Sequence, residues 1–416
     1  MRQYDFDTLV DRSGTDCLKW DIKDGELPMW VADMDFPTAP EIREAIERRA
    51  QHGVFGYQII PDAWYDAYIT WWKTRHGMEI QKDWLVFTTG VIPAISSAVR
   101  KLTSPAEKVC LMTPVYNTFF NSIVNNGRVP FECPLSYDKD TGYSMDFDAL
   151  EKALSDPQTS LLLLCNPQNP GGKIWNREEL ARVGELCKKY GVIVFADEIH
   201  CDLTAPGLSY TPFASVSETC RQISITAVSP TKTFNLAGIQ TAAFFSANPV
   251  LRHKLWRQVN TDEVAEPNAF AVDATVAAFT KGAAWLDELR EYLQENKNAT
   301  VAYLKENLPQ LSVVSTDATY LLWIDLSEIL RQRADLINQK SDPDLQKSET
   351  QIPDARNFVR FLREKTGLFV MYGNVYGKGG DHFMRLNIAC PKSMLEDGLA
   401  RLKAGVEMYL SSESET

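Results

Sequence analysis

The chain has 416 residues, 44% of them hydrophobic and 24% charged, with a formal net charge of −12. This length excludes a single small module and suits one large α/β domain with a smaller companion. Lys and Arg are scattered rather than gathered in a stripe, which excludes the usual footprint of a nucleic-acid binder, and the acidity is read as a solubility feature.

No apolar stretch follows a basic start at Met1 to Asp7, so no secretory signal is expected. Thr38 to Glu41 has the Thr-x-x-Glu form of a capping box, with Pro40 in the first turn of a helix carrying Ile42 and Ile46. From about residue 84 to 245, short β-rich runs alternate with longer amphipathic ones, the pattern of a mostly parallel sheet flanked by helices. The expected strands are Trp84 to Thr88, Lys108 to Met112, Ser160 to Cys165, Val192 to Ala196, Ile223 to Val228 and Ala242 to Ser246. Several are continuously apolar, as strands buried on both faces must be. One long helix should follow Asn176, and another should begin near Trp285 and run through Leu289, Leu293 and Tyr303.

From about residue 311 the pattern becomes that of a smaller α+β domain, with strands at Leu311 to Val314, Tyr320 to Asp325 and Phe383 to Ala389. The expected division is an N-terminal segment 1–45 joining the small domain, a large domain 46–285 and a small domain 286–416. Residues 331–356, rich in Asp, Gln, Lys and Ser, are read as a solvated polar insertion, and the tail Ser411 to Thr416 as disordered.

The eight cysteines stand far apart with no Cys-x-x-Cys pair, and the five histidines show no zinc-ligand spacing. A reduced, cytoplasmic protein without a metal is expected. No run approaches the ~20 apolar residues of a membrane helix, so no membrane partner is expected either.

The residues that carry chemistry cluster after the expected strands. Ser229-Pro-Thr-Lys232-Thr-Phe-Asn235 directly follows one of them. Burying an ammonium there lowers its pKa, which is what an imine-forming amine requires. Thirty-five residues upstream, Ala196-Asp197-Glu-Ile-His200 delivers an acid at the end of another strand, where ligands of open α/β sheets bind. Such a carboxylate can pair with a protonated pyridine nitrogen, and His200 could reach a ring hydroxyl. Cys165-Asn-Pro-Gln-Asn169-Pro-Gly-Gly172 is a turn that presents the Asn169 amide, and Thr89-Gly90-Val-Ile-Pro93 opens a helix whose N-terminus is a ready phosphate site. Each has a blander reading alone, as a loop lysine, a capping acid or a turn.

In this order, Asn-Pro-Gln-Asn-Pro-Gly-Gly, Asp-Glu-Ile-His and Ser-Pro-Thr-Lys-Thr-Phe-Asn resemble the class I/II aminotransferase superfamily of fold-type I pyridoxal-phosphate enzymes. Within it the chain is similar to the MalY/PatB group of cystathionine β-lyases, or C-S lyases. The residues concerned are Asp11-Arg-Ser-Gly-Thr15, Leu27-Pro-Met-Trp-Val-Ala-Asp-Met-Asp-Phe36, Gly53-Val-Phe-Gly-Tyr57, Thr89 to Pro93 and Thr113-Pro-Val-Tyr116.

The resemblance implies pyridoxal 5'-phosphate as cofactor, carried as a Schiff base on Lys232, which later moves the substrate proton. It implies Asp197 at the pyridine nitrogen, Asn169 and His200 at the ring oxygen, and Tyr116 stacked on the ring. Gly90, Val91, Ile92, Ser229 and Thr231 would gather the phosphate, and Arg385 would grip the substrate carboxylate. Tyr57 would reach the phosphate of the neighbouring subunit, which implies a homodimer. Many aminotransferases have an arginine eight residues after the lysine; here that position is Gln240, which favours a lyase.

The expected reaction is β-elimination from cystathionine or a related cysteine S-conjugate, giving a thiol, pyruvate and ammonia. The alternatives are an aminotransferase using the same cofactor contacts and a regulatory binding protein that retains the cofactor.

Overall fold

The computed structural model describes residues 2–340 and 352–412. Its larger sheet has seven strands, β1 (Leu85–Thr88), β2 (Lys108–Thr113), β3 (Val129–Pro134), β4 (Thr159–Cys165), β5 (Ile193–Asp197), β6 (Ser224–Val228) and β7 (Ala242–Phe245), in the order β1-β7-β6-β5-β4-β2-β3. Only β7 is antiparallel to its neighbours, so β1 to β6 all run in one direction. Their carboxyl ends therefore open on one edge of the sheet, the position from which such sheets present ligands.

Alternate side chains on the central strands enter different cores. Leu162, Leu164, Val194 and Ala196 pack with Leu180, Val183 and Cys187 of the helix Arg177–Tyr190. Leu161, Leu163, Phe195 and Ile225 pack with Ala94, Ile95 and Val99 of the helix Val91–Leu102. This two-sided burial explains why β4 and β5 read as continuous apolar runs, each large aliphatic side chain contributing about 1.5–3 kcal/mol. Strand β3 was not foreseen, because Pro130 and Pro134 break the pattern. It forms the sheet edge, where a missing N–H faces no partner strand.

The second sheet is antiparallel, with strands β8 (Ser312–Val313), β9 (Leu321–Asp325), β10 (Met371–Tyr372) and β11 (Phe383–Asn387) in the order β8-β9-β11-β10. The N-terminal segment is attached to this part of the molecule: Leu27 and Pro28 pair in parallel with Leu368 and Phe369, and Asp35 N–H donates to Ala389 O at 2.8 Å. A buried ion cluster anchors the same segment, in which Arg12 and Lys19 both pair with Asp33 and Asp35.

The helix Ala283–Asn307 begins two residues before the expected Trp285, and Asn176 and Glu179 form a true capping box for the helix Arg177–Tyr190. The capping box expected at Thr38 is absent. Pro40 takes the first helical position of Pro40–His52, which makes Ala39 the cap and leaves Thr38 one residue too early to serve. Thr38 Oγ1 is buried without a partner among the described residues, and Glu41 instead accepts from Tyr4 OH at 3.4 Å.

Residues 331–340, expected as the start of a solvated insertion, continue the helix Ser327–Lys340. Leu330 and Ala334 are buried on its inner face, and that apolar spacing holds the helix to the core. Residues 341–351 of the expected insertion, and 413–416 of the expected disordered tail, lie outside the described residues. All eight cysteines carry free thiols. Among the described residues, no helix is long and apolar enough to cross a membrane.

Candidate active site

Strand β6 is buried throughout and ends at Val228. Ser229 then caps a single helical turn, Pro230–Thr233: its Oγ accepts Thr231 N–H at 3.0 Å, and Pro230 occupies the first position. This turn delivers Lys232 to the open edge of the sheet. Its Nζ donates to the backbone oxygen of Ala32, which also accepts from Tyr320 OH at 3.0 Å.

Asp197 is the last residue of the neighbouring strand β5, in register with Cys165 of β4 and Ala227 of β6. Its Oδ1 accepts Ile199 N–H at 3.1 Å. Asn169, in the turn after β4, accepts from Arg385 Nη1 at 3.2 Å, and Arg385 Nη2 donates to Trp30 O at 3.1 Å. The guanidinium of Arg385 also lies 5.0 Å from the centre of the Tyr376 ring.

Ionisation in this space is unusual. Burial pushes Asp197 up to about 7, and the Lys232 charge only partly offsets it. Burial, with repulsion from Arg385, pushes Lys232 down to about 8, against the pull of Asp33 and Asp197. Burial, with Lys232 and Arg385 nearby, pushes His200 down to about 3, so its ring is neutral at pH 7. Its Nδ1 is buried without a hydrogen-bond partner among the described residues, as is Nε of Arg385. His200 also lines the cavity, so its open ring nitrogen is available to a polar group bound there.

A cavity of about 280 Å³ opens here, and its walls include Gly90, Val91, Ile92, Tyr116, Asn169, Asp197, His200 and Lys232. At one end the helix Val91–Leu102 presents its N-terminus, whose free N–H groups and positive dipole suit an anion. An amine, a buried carboxylate, an open imidazole nitrogen and an anion cradle therefore converge on a space the size of a small aromatic phosphate.

Residues 27–402 match the family model described as aminotransferase class I and II. The chain belongs to the aminotransferase class I and II family.

Within this family, the chain is 41% identical over 408 residues to "Cystathionine beta-lyase PatB" of Bacillus subtilis, covering 96% of this chain and 99% of that protein. It is 33% identical over 407 residues to "Protein MalY" of Escherichia coli, covering 96% and 98%. Its fold is similar to that of cystalysin from Treponema denticola, a structure containing a pyridoxal 5'-phosphate cofactor, with TM-score 0.87, 30% identity, and 97% and 99% of the two chains covered. It is likewise similar to a PLP-bound C-S lyase from Staphylococcus hominis, with TM-score 0.86, 29% identity, and 97% and 99% covered. The fold expected from the sequence, that of the fold-type I pyridoxal-phosphate enzymes, is the fold observed.

Four of the expected site residues, Arg385, Ser229, Thr231 and Tyr57, do not line the cavity, and Arg385 touches it only through its bond to Asn169. Ser229 and Thr231 are buried beside Lys232 with their hydroxyls 2.8 Å apart, and Ser229 Oγ also donates to Thr241 O at 2.6 Å. Tyr57 is 99% exposed and lies along a separate, open groove with Phe55, Gly238, Gln240 and Phe270. Gln240, in left-handed backbone conformation with φ of 53°, borders both spaces.

Sequence reasoning assigned no role to Ala32, Tyr320 or Tyr376. The segment Leu27 to Phe36 was singled out, but nothing in its composition says that a backbone oxygen at Ala32 will face a lysine 200 positions away.

Proposed function

We propose that this chain is a pyridoxal 5'-phosphate-dependent carbon-sulfur β-lyase, acting on cystathionine and related cysteine S-conjugates. The observation that carries this reading is the placement of Lys232 and Asp197 at the ends of adjacent parallel strands, facing one cavity with oppositely perturbed ionisation. The likeness to lyases over nearly the whole chain supports the choice of reaction.

When bound, the cofactor supplies a conjugated heterocycle that draws off the electron pair left at the substrate Cα. Lys232, whose lowered pKa raises the share of neutral amine near pH 8, would hold the cofactor through Nζ, which becomes free again once the substrate amine is bound. Its freed Nζ then takes the Cα proton and can pass it to the departing sulfur. Asp197 would hold the ring nitrogen, whose positive charge would offset the burial that raises the Asp197 pKa. Asn169 and the neutral ring of His200 would hold the ring oxygen, and Tyr116 would pack against the ring.

The N–H groups from Gly90 to Ile92 would hold the phosphate, with the Ser229 and Thr231 hydroxyls as further donors. Arg385 offers a planar fork to the substrate carboxylate, its orientation fixed by Asn169 and Trp30. Water completes the reaction by releasing pyruvate and ammonia.

The active unit is a homodimer in which Tyr57 reaches the phosphate site of the other subunit. Its full exposure, together with exposed Val54, Phe55 and Ile59 beside it, supports an interface at this segment. Within a division into an N-terminal segment 1–45, a large domain 46–285 and a small domain 286–416, the pairing of Leu27 and Pro28 with Leu368 and Phe369 supports attachment of the first segment to the small domain. A cytoplasmic location fits eight free thiols.

The test is incubation of the purified, cofactor-loaded protein with cystathionine and no keto-acid acceptor. A lyase releases pyruvate and free thiol in equal amounts. A requirement for a keto acid, with no thiol released, would assign the protein as an aminotransferase instead.

A further inference from the structure

The turn after β5 has a second face, directed away from the cavity. Asp202 is buried there, and its carboxylate collects three bonds: Trp71 Nε1 donates to Oδ1 at 2.9 Å, His76 Nε2 lies 2.9 Å from the same oxygen, and Thr233 Oγ1 donates to Oδ2 at 2.9 Å. Burial alone would raise the pKa of Asp202, yet these bonds and the charge of His76 hold it below the ordinary carboxylate range. His76 closes the helix Asp62–His76, and the Tyr210 ring meets its imidazole edge-on at 4.9 Å between centres. Tyr210 OH in turn donates at 3.1 Å to Glu198, the residue beside Asp197.

Thr233 is the residue after Lys232 and the last of the one-turn helix Pro230–Thr233. A β-branched side chain has few rotamers, so a bond from its hydroxyl to a fixed carboxylate also fixes the backbone that carries it. The amine of Lys232 stands at the end of four rotatable bonds, and its reach is only as definite as that backbone. Small displacements of a reacting group are costly, and groups behind the site commonly set its geometry. His76, Cys201 and Asp202 have the composition of a metal cluster, but both Asp202 oxygens already accept bonds within the protein, which favours a hydrogen-bonded clamp.

We propose that Asp202 is a positioning residue for Lys232, acting through Thr233 to seat the turn that presents the amine, with Trp71 and His76 as its other hydrogen-bond partners. The proposal rests on the reading of Lys232 as the residue that captures the cofactor.

The test uses cofactor-stripped full-length protein as parent, Thr233→Val and Thr233→Ser. Two quantities are measured: the rate of pyridoxal 5'-phosphate capture, followed by near-visible absorbance and by borohydride-fixed adduct on Lys232, and the pH midpoint of the colour change after loading. Melting temperatures are recorded alongside.

Thr233→Val removes the hydroxyl at nearly constant volume, and capture is expected to slow by about ten-fold or more, with a shift of about half a pH unit in the colour midpoint. Thr233→Ser restores the hydroxyl and is expected to return both quantities to within about two-fold and a few tenths of a unit of the parent. Thr233→Ala, which leaves room for a water against Asp202, decides by the same readouts should the valine variant not fold.

A lowered melting temperature with unaltered capture and colour midpoint would overturn the proposal, as would a serine variant as slow as the valine one. Failure of the parent itself to capture the aldehyde at Lys232 would overturn the cofactor reading as well, so the two failures are distinguishable.

Discussion

Asn169 and Arg385 meet at 3.2 Å across 216 positions of sequence, the amide oxygen accepting from Nη1 of the guanidinium. Asn169 belongs to the turn after β4 and lines the cavity, and Arg385 belongs to β11, so this hydrogen bond ties the second sheet to the cavity wall. The amide that is proposed to touch the cofactor ring also orients the group proposed to hold the substrate. Cofactor and substrate positions are therefore linked through one side chain.

Replacing Arg385 with lysine keeps the charge and removes the fork. The kcat/KM for an amino-acid thioether is expected to fall by the equivalent of about 2–5 kcal/mol, mainly through KM, with cofactor affinity little changed. Steady-state kinetics beside a cofactor titration checks this, and an unaltered KM would remove Arg385 from substrate binding.

The ionisation of His200 predicts an acid-sensitive contribution to folding. Its folded pKa of about 3 lies below the unfolded value near 6.5, so the unfolded chain binds more protons between these limits. The stability that His200 contributes is present above about pH 6.5 and is lost as pH falls toward 3. For cofactor-free protein in urea, the stability of the parent relative to His200→Asn should fall from pH 7 to pH 5. Asp197 and Glu198 work in the opposite sense, because burial raises them to about 7 and about 8. Their contribution is present below about pH 4 and is lost as pH rises through those values.

Tyr57 carries its test in a single atom. Tyr57→Phe removes only the hydroxyl, and a bond to the partner's phosphate is worth about 1.5–3 kcal/mol. If the proposed homodimer holds, equilibrium dialysis should show weaker cofactor retention by the variant, with its oligomeric state unchanged. Retention equal to that of the parent would place Tyr57 outside the phosphate site.

Gly373 lies in the loop between β10 and β11. A Cβ at this position would collide with the backbone oxygens of Gly380 and Phe383, which have little freedom to withdraw. Gly373→Ala should destabilise the protein by about 1–3 kcal/mol in urea denaturation, without direct contact with the cavity. A midpoint unchanged from the parent would show that the loop relaxes freely.

The larger sheet was readable because its strands are buried on both faces, and two-sided burial leaves an unbroken apolar run such as Leu161 to Leu164. The edge strand β3 was not, since exposure admits the prolines that hide it. That Lys232, Asp197 and Asn169 share one cavity was legible because each lies at or within four residues of the end of an apolar strand, where chain direction determines where a side chain emerges. The Ala32 oxygen and the Asp202 clamp were not legible, because both depend on contacts over long separations: Lys232 with Ala32, and His76 with Asp202. Thr38 failed as a cap because of a one-residue offset imposed by Pro40, which local spacing alone could not resolve.

The most direct measurement is borohydride reduction of the protein after incubation with pyridoxal 5'-phosphate, followed by peptide mapping with mass spectrometry. One pyridoxyl adduct is expected, on the peptide containing Lys232, and it should vanish in Lys232→Ala that is otherwise folded. An unmodified Lys232, or an adduct on another buried lysine such as Lys19 or Lys297, would contradict the assignment of the site.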